Sequence, residues 1–264
     1  MRTIRIDRLE DPRLDDYRNV RDPDLAARGG LFIAEGRLVV ARLLGSRRFR
    51  TRSLMLTEAA RTSLGELIDR ADDVPVFVVS QAVMNGVTGL NIHRGCLAIG
   101  ERTPPPGLRD LVAGARRLVV LERVANADNV GAIFRNAAAF GVDALLMDEA
   151  TTDPLYRKSI RTSMGAALRV PFARAEPLAN ALDTVVDCGL TLVALTPRPA
   201  APALATLAHS LRSQRLAIVV GHEGEGLTSG TLARCNLQVR LPMSDAVDSI
   251  NVATAAAIAL YALA

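Results

Sequence analysis

Tryptophan is absent from this 264-residue sequence, and aromatic residues make up only 3% of it. Proteins that bind single-stranded nucleic acid by base stacking depend on aromatic side chains. The scarcity therefore predicts that any contact with RNA rests on charge and shape. Hydrophobic residues account for 49% and charged residues for 23%, which predicts a packed globular core and excludes a disordered chain.

Lysine is almost absent as well. Lys158 is the only one, and every other basic side chain is arginine, in a chain of formal charge +4. The guanidinium group matches phosphate geometry, so this composition favours contact with phosphate. A GC-rich genome produces the same bias through arginine codons, and the two explanations are compatible.

Few residues suit a metal or a disulfide. Cys96, Cys188 and Cys235 lie far apart and are odd in number, which fits a reducing cytosol and predicts a cytoplasmic protein. The histidines are isolated too, and they are His93, His209 and His222. None of these residues has metal-ligand spacing, so no metal site is predicted.

No hydrophobic run is long enough for a membrane. The apolar end of the chain, Ile250 to Ala264, has 15 residues, whereas a membrane-spanning helix needs roughly 20. The charged start also differs from a signal peptide. The C-terminal run therefore predicts a core helix, and no membrane contact is expected.

Three consecutive prolines between Glu101 and Asp110 predict a domain boundary, because proline cannot continue a helix or a central strand. We expect a small α/β domain over residues 1–100, a proline-rich linker over 101–108 and a second domain over 109–264. Short apolar runs separated by helical segments predict an α/β fold with a parallel sheet in that second domain. The runs are RRLVVLE, DALLMD, TLVAL, RLAIVVG and LQVRLPM.

Ligands of open α/β sheets bind beyond the carboxyl ends of strands, which directs attention to the loops there. One loop, residues 221–232, has glycines at 221, 224 and 226 but no lysine and no Walker pattern. Glu223 and Glu225 would repel a phosphate. The loop suits a neutral or cationic ligand, or is simply a tight turn.

Two further loops carry polar side chains. Asn129 is predicted to cap a helix that contains Arg135, whose role is either structural or catalytic. Near the C-terminus, Asp248 or Ser249 is predicted to cap the last helix. Ser249 and Asn251 then lie where backbone N–H groups and polar side chains can meet a ligand.

Two basic clusters are candidate RNA-binding sites. Arg47 and Arg48 lie on a predicted loop with Arg50 and Arg52. A second group is predicted on a helix and comprises Arg157, Lys158 and Arg161. Each cluster either contacts RNA phosphates or is a solvated surface.

Three ordered motifs resemble those of the SpoU-type RNA ribose 2′-O-methyltransferases of the SPOUT superfamily. The first is N-x-G-x-x-x-R at Asn129, Gly131 and Arg135. The second, G-x-E-x-x-G-L, occupies 221–227, and the third combines Leu-Pro-Met at 241–243 with Ser-Ile-Asn-Val at 249–252. The likeness covers residues 117–262, and a weaker one covers the N-terminal part.

The resemblance implies a deep trefoil knot, a homodimer, and S-adenosylmethionine as the cofactor of methyl transfer to a ribose 2′-hydroxyl. It implies Arg135 as a catalytic residue that reaches the site of the other subunit, with Asn129, Glu223, Ser249 and Asn251 completing that site. The implied cofactor-binding residues are Leu195, Thr196, Gly221, Glu223, Gly226, Leu241, Met243 and Ile250. Asp245 and Ala253 depart from the family pattern.

The N-terminal domain is expected to bind RNA substrate, and 23S ribosomal RNA is the expected target. Two alternatives remain open at this point. One is a methyltransferase that acts on transfer RNA. The other is a non-catalytic RNA-binding factor for ribosome assembly with the same fold, which retention of the motif residues disfavours.

Overall fold

The protein is described by a computed structural model that covers residues 3–18, 22–27, 30–70, 74–244 and 246–264. The chain divides into two compact units. One comprises Met1–Pro104 and Leu155–Arg169, and the other comprises Pro105–Pro154 and Val170–Ala264. The first break falls inside the proline-rich segment. Leu155–Arg169 groups with the first unit, although the sequence placed it in the second domain. Asp245 lies outside the described residues.

The strands are short, as expected for small parallel sheets. In chain order they are β1 (Thr3–Arg5), β2 (Leu31–Glu35), β3 (Arg50–Leu56), β4 (Val76–Val78), β5 (Cys96–Glu101), β6 (Arg117–Leu121), β7 (Ala144–Met147), β8 (Phe172–Arg174), β9 (Thr191–Leu195), β10 (Leu216–Val220) and β11 (Leu237–Val239).

The α-helices of the described residues follow the same order. They are α1 (Asp22–Ala27), α2 (Arg37–Leu44), α3 (Glu58–Asp69), α4 (Gln81–Thr88), α5 (Leu108–Ala113), α6 (Ala127–Ala139), α7 (Arg157–Thr162), α8 (Leu178–Asp187), α9 (Leu204–Leu211), α10 (Ser229–Arg234) and α11 (Val252–Leu263).

The first unit is built on a mixed five-stranded sheet with the order β1-β4-β3-β5-β2. Strand β4 pairs parallel with β1 and β3, whereas β5 runs antiparallel to β3 and β2. Helix α7 packs on β2, which explains why Leu155–Arg169 belongs to this unit. A 3-10 helix, Pro12–Tyr17, buries Leu14 and Tyr17 in the same core.

The second unit contains the parallel sheet that the apolar runs predict. Its strand order is β11-β9-β10-β6-β7-β8, and every adjacent pair is parallel. Strands β7 and β10 are buried at every residue, which agrees with a sheet covered on both faces. The outer strand β8 was not predicted, because its three residues end in Arg174 and do not belong to a longer apolar run.

The C-terminal run forms α11, a helix of 12 residues. At about 1.5 Å per residue it extends roughly 18 Å, and no helix among the described residues is long and apolar enough to cross a membrane. The Arg212 and Arg117 guanidinium groups donate to the carbonyls of Ala262 and Leu263, at 3.0 and 3.2 Å. Such cations stabilise a helix end whose carbonyls lack partners within the helix.

Candidate active site

A cavity of about 340 Å³ lies at the carboxyl ends of β9, β10 and β11 and at the start of α11. This is where the rule for open α/β sheets places a ligand. All eight residues predicted to bind the cofactor line the cavity, and Ser249 lines it as well. They are Leu195, Thr196, Gly221, Glu223, Gly226, Leu241, Met243 and Ile250.

The glycine-rich loop after β10 forms one wall and folds back on itself. The amide of Gly226 donates to the carbonyl of His222 at 2.9 Å, and Gly226 has a φ of 69°. A Cβ on Gly221 would lie 2.7 Å from the carbonyl carbon of Gly226. Only glycine therefore fits at position 221 while the loop keeps this conformation.

His222 shapes the same loop. Its Nδ1 accepts hydrogen bonds from the amides of Gly224 and Glu225, at 3.0 and 3.1 Å. Because an imidazole nitrogen accepts only when it carries no proton, the observed turn requires an unprotonated Nδ1. His222 was not among the predicted cofactor-binding residues, although it lies between the motif residues Gly221 and Glu223.

A buried carboxylate anchors the far end of the loop. Glu122, which is 5% exposed, accepts hydrogen bonds from the backbone amide and hydroxyl of Thr228 and from the hydroxyl of Thr231. The distances are 2.8, 2.8 and 2.6 Å. These bonds satisfy the carboxylate away from water and fix the start of α10. Glu122 was not among the predicted site residues.

Three predicted catalytic residues form a continuous hydrogen-bonded chain. Asn251 Nδ2 donates to Asn129 Oδ1 at 2.8 Å, and Asn129 Nδ2 donates to Glu223 Oε1 at 2.5 Å. Asn129 is buried, whereas Glu223 and Asn251 are exposed. We call this chain the Asn129 relay. It connects α6, the glycine-rich loop and the start of α11 at the edge of the cavity.

Both predicted helix caps are wrong. Helix α6 begins one turn earlier than expected, with Asn126 as its N-cap, and Asn129 lies inside its first turn. Helix α11 is capped by Asn251, whose Oδ1 accepts from the amides of Ala253 and Thr254, at 2.9 and 3.2 Å. Several residues near each start can cap a helix, and packing selects among them.

Arg135 lies apart from the cavity wall. Its side chain is exposed on α6, and it has no hydrogen bond or ion pair within the part of the chain that the structure describes. Helix α6 packs on α11, and Asn136 Nδ2 donates to the carbonyl of Ala253 at 3.0 Å. Arg135 is therefore presented on the outer surface of a well-anchored helix.

Comparison with known proteins identifies the family. A model of the SpoU rRNA Methylase family matches residues 116–261, more than half of the chain. The chain belongs to this family. It is therefore an RNA methyltransferase, and the match contains all three of the motifs that suggested the resemblance.

The methylase is similar to one curated relative and to two proteins of known structure. An uncharacterized tRNA/rRNA methyltransferase of Mycobacterium tuberculosis (strain CDC 1551 / Oshkosh) is 45% identical over 258 residues, which are 96% of this chain and 88% of the relative. An AdoMet-bound rRNA methyltransferase from Sinorhizobium meliloti is 24% identical, with a TM-score of 0.82 and coverage of 99% and 97%. An RNA 2′-O ribose methyltransferase is 25% identical, with a TM-score of 0.75 and coverage of 98% of both chains.

The five predicted RNA-binding residues of the methylase all belong to its first unit. Arg47, Lys158 and Arg161 are exposed. Arg157 is partly buried and forms an ion pair with Glu35, with Nη1 and Oε2 3.2 Å apart. Any RNA phosphate that binds Arg157 therefore competes with a carboxylate.

Arg48 has a mixed character. Its guanidinium lies over the ring of Phe49 at 4.9 Å from the centroid, and burial lowers its pKa to about 10. The side chain is still cationic at neutral pH. The predicted loop around it is shorter than expected, because Arg50 and Arg52 belong to strand β3.

Asn251 makes two kinds of hydrogen bond, one that caps α11 and one to Asn129, and substitutions can separate them. Asn251→Ala is expected to lower the free energy of unfolding by about 1 kcal/mol, because α11 loses its N-cap acceptor. Asn251→Ser is expected to recover that stability, since a serine hydroxyl also caps, but it is too short to reach Asn129. We therefore expect Asn251→Ser to remain impaired in methyl transfer. Urea unfolding and a methyl-transfer assay on both variants test this, and full activity of Asn251→Ser would show that the relay is dispensable.

Proposed function

We propose that the methylase transfers a methyl group from S-adenosylmethionine to a ribose 2′-hydroxyl, with 23S ribosomal RNA as its substrate. The observation that carries the proposal is the Asn129 relay at the edge of a cavity lined by the loops after β9, β10 and β11. The similarity to an RNA 2′-O ribose methyltransferase over 98% of both chains supports the position of the transfer.

The cavity suits this cofactor. Its volume of about 340 Å³ lies within the usual range for small-molecule sites. Among its lining residues are Glu223, Glu225 and Asp248, and carboxylates favour a cation over a phosphate. Gly221 lies so close to Gly226 that no side chain fits between them. The absence of a side chain lets the loop backbone approach a ligand closely. When bound, S-adenosylmethionine supplies an electrophilic methyl group on a positively charged sulfur.

Different lining residues would hold different parts of the cofactor. Backbone groups around Thr196, Gly221, Leu241 and Ile250 would hold the adenosine part. Leu195, Gly226 and Met243 would complete the walls, and the Glu223 carboxylate would supply negative charge for the cationic sulfur. The Asn129 relay fixes one oxygen of Glu223, and the other oxygen has no hydrogen-bond partner among the described residues. Glu223 can therefore accept a further hydrogen bond from the RNA.

Arg135 orients the target nucleotide rather than removing its proton. An arginine does not act as a base at neutral pH, because its pKa lies above roughly 12. Its guanidinium is suited to bind the phosphate beside the target ribose. That phosphate then assists proton transfer from the 2′-hydroxyl. Ser249 lies at the cavity wall, where its hydroxyl can contact the ribose.

A homodimer brings Arg135 to the active site of the other subunit. Two observations support it: Arg135 does not line the cavity of its own chain, and α11 exposes 43% of Ile258 and 73% of Tyr261. Exposed apolar side chains on a helix beside α6 suit a contact with a second copy.

The remaining parts of the proposal follow from the resemblance. The N-terminal domain, residues 1–100, binds RNA substrate, and the segment 101–108 links it to the methyltransferase domain over 109–264. The loops after β9, β10 and β11 form a trefoil knot. A cytoplasmic location is supported by three free thiols, Cys96, Cys188 and Cys235.

The proposal is tested by incubating the purified methylase with labelled S-adenosylmethionine and separate pools of unmodified ribosomal and transfer RNA. A 2′-O-methyl group blocks alkaline cleavage at its own linkage, so digestion yields a labelled dinucleotide. We expect that product from ribosomal RNA. The same product from transfer RNA alone would show that transfer RNA, and not ribosomal RNA, is the substrate. Label recovered in mononucleotides would indicate methylation of a base. Cofactor binding without transfer to naked RNA or to ribosomal assembly intermediates would favour the RNA-binding factor.

A further inference from the structure

Arg123 has an unusual backbone conformation at the carboxyl end of β6. Its φ is 57°, in the left-handed region that side chains other than glycine rarely adopt. Its amide donates to both carboxylate oxygens of Asp148, at 3.0 and 2.9 Å. Asp148 is buried and also accepts from the amide and hydroxyl of Thr151, at 2.9 and 2.6 Å. These bonds fix the backbone of Arg123 against its local preference.

The side chain of Arg123 extends to the glycine-rich loop. Its Nη1 lies 2.5 Å from Glu225 Oε2, and its Nη2 donates to the carbonyl of Gly226 at 3.2 Å. Glu225 and Gly226 both line the cavity, whereas Arg123 does not. The guanidinium thus binds the outer edge of the loop at two adjacent residues, one through its side chain and one through its backbone.

Global stability does not explain this arrangement. The side chains of Arg123 and Glu225 are 31% and 69% exposed, and ion pairs this exposed contribute little to folding. A strained backbone is retained where surrounding contacts impose it, often at functional sites. The hydrogen bond from Arg123 and its positive charge lower the pKa of Glu225.

We propose that Arg123 is a positioning residue that stabilises the Glu225–Gly226 edge of the cavity in the conformation that binds S-adenosylmethionine. This inference rests on the proposed function. Arg123 acts through the loop and does not touch the cofactor. Glu122 anchors the end of the same loop through Thr228, so two adjacent residues after β6 hold neighbouring parts of one cavity wall.

The best variant is Arg123→Gly, because glycine adopts the observed φ without strain. Loss of the guanidinium is expected to weaken cofactor binding about 5- to 10-fold, while the melting temperature stays unchanged or rises. In kinetic terms, KM for S-adenosylmethionine should rise and kcat should stay within about twofold. A merely structural role would lower the melting temperature instead.

Binding of two ligands distinguishes a positioning effect of Arg123 from an effect of its charge. Without Arg123, the unpaired Glu225 would attract the cationic cofactor more strongly than its neutral product, S-adenosylhomocysteine. A positioning role predicts that both bind more weakly by a similar factor. Glu225→Gln should weaken binding less than Arg123→Gly, and the double variant should show less than the product of the two single effects.

Isothermal titration calorimetry with both ligands provides the measurement, and hydrogen exchange at residues 221–227 should become faster in Arg123→Gly. The matched control is Arg234→Ala, which removes an exposed ion pair with Asp183 in the same unit, away from the cavity. Equal binding by wild type and Arg123→Gly would overturn the inference alone. A wild-type protein that bound neither ligand would instead refute the proposed cofactor and the inference that depends on it.

Discussion

Replacing Arg135 by alanine is expected to reduce methyl transfer to RNA by roughly 100-fold or more. The guanidinium is assigned to the RNA phosphate, where it provides a bidentate donor that alanine lacks. Cofactor affinity and stability should not change, because Arg135 is exposed on α6 and does not line the cavity. Methyl transfer at saturating cofactor, together with calorimetric binding of S-adenosylhomocysteine, measures the two effects separately.

Two further variants define the role of this side chain. Arg135→Lys should retain part of the activity, because lysine keeps the charge but not the planar fork. Arg109→Ala removes an exposed arginine from α5 and should leave methyl transfer unchanged. Full activity of Arg135→Ala would refute the catalytic role. A loss of cofactor affinity would show that Arg135 helps to maintain the structure of the cavity in its own chain.

The second large effect is expected from Gly221→Ala. The new Cβ would lie 2.7 Å from the carbonyl carbon of Gly226, 2.8 Å from its oxygen and 2.8 Å from the amide nitrogen of Leu227. These are backbone atoms, so the loop itself must move. We expect weaker cofactor binding and methyl transfer reduced by roughly 100-fold, as follows from a misplacement of about 1 Å in an active site.

The control for this prediction lies three residues away in the same loop. A Cβ on Gly224 would meet only the His222 ring, at 3.5 Å, which is ordinary van der Waals contact. Gly224→Ala should therefore bind cofactor nearly as well as the wild type. If both alanine variants bound equally well, the close approach of Gly221 to Gly226 would have no part in the site.

These two variants also test whether subunits share active sites. Arg135→Ala and Gly221→Ala should each inactivate the proposed homodimer, but a mixed dimer would combine one intact cavity with one intact arginine. Equal mixing after subunit exchange should then restore about a quarter of wild-type activity, because half of the dimers are mixed and each has one complete site. No recovery, with mixed dimers verified by differential tags, would place Arg135 in the site of its own chain.

The strands of the second unit were predictable from local pattern. Residues 118–121 and 216–220 are apolar and contain several valines and leucines, and each run is long enough for one buried strand between turns. Strands β1 and β8 were missed because Thr3–Arg5 and Phe172–Arg174 each end in arginine and lie outside the longer apolar runs. The boundary of the first unit was only partly visible, since α7 joins it through packing on β2.

The family resemblance located the cavity residues, because each wall is a continuous stretch that follows one strand. It did not reveal Arg123 or Glu122, whose roles depend on hydrogen bonds to residues more than 100 positions later in the chain. The feature that distinguishes Arg123 is its left-handed φ. An arginine in the sequence gives no indication of such a backbone conformation.

The sequence by itself determined the parallel α/β domain, the family and the loops that line the cavity, because these depend on local hydrophobic pattern and on residues at fixed spacing. The tertiary structure decided which asparagine caps each helix and joined Asn129 to Glu223 and Asn251. Those partners lie 94 and 122 positions away. A hydrogen bond forms only when packing brings two groups within about 3 Å, and no local pattern records such a distance.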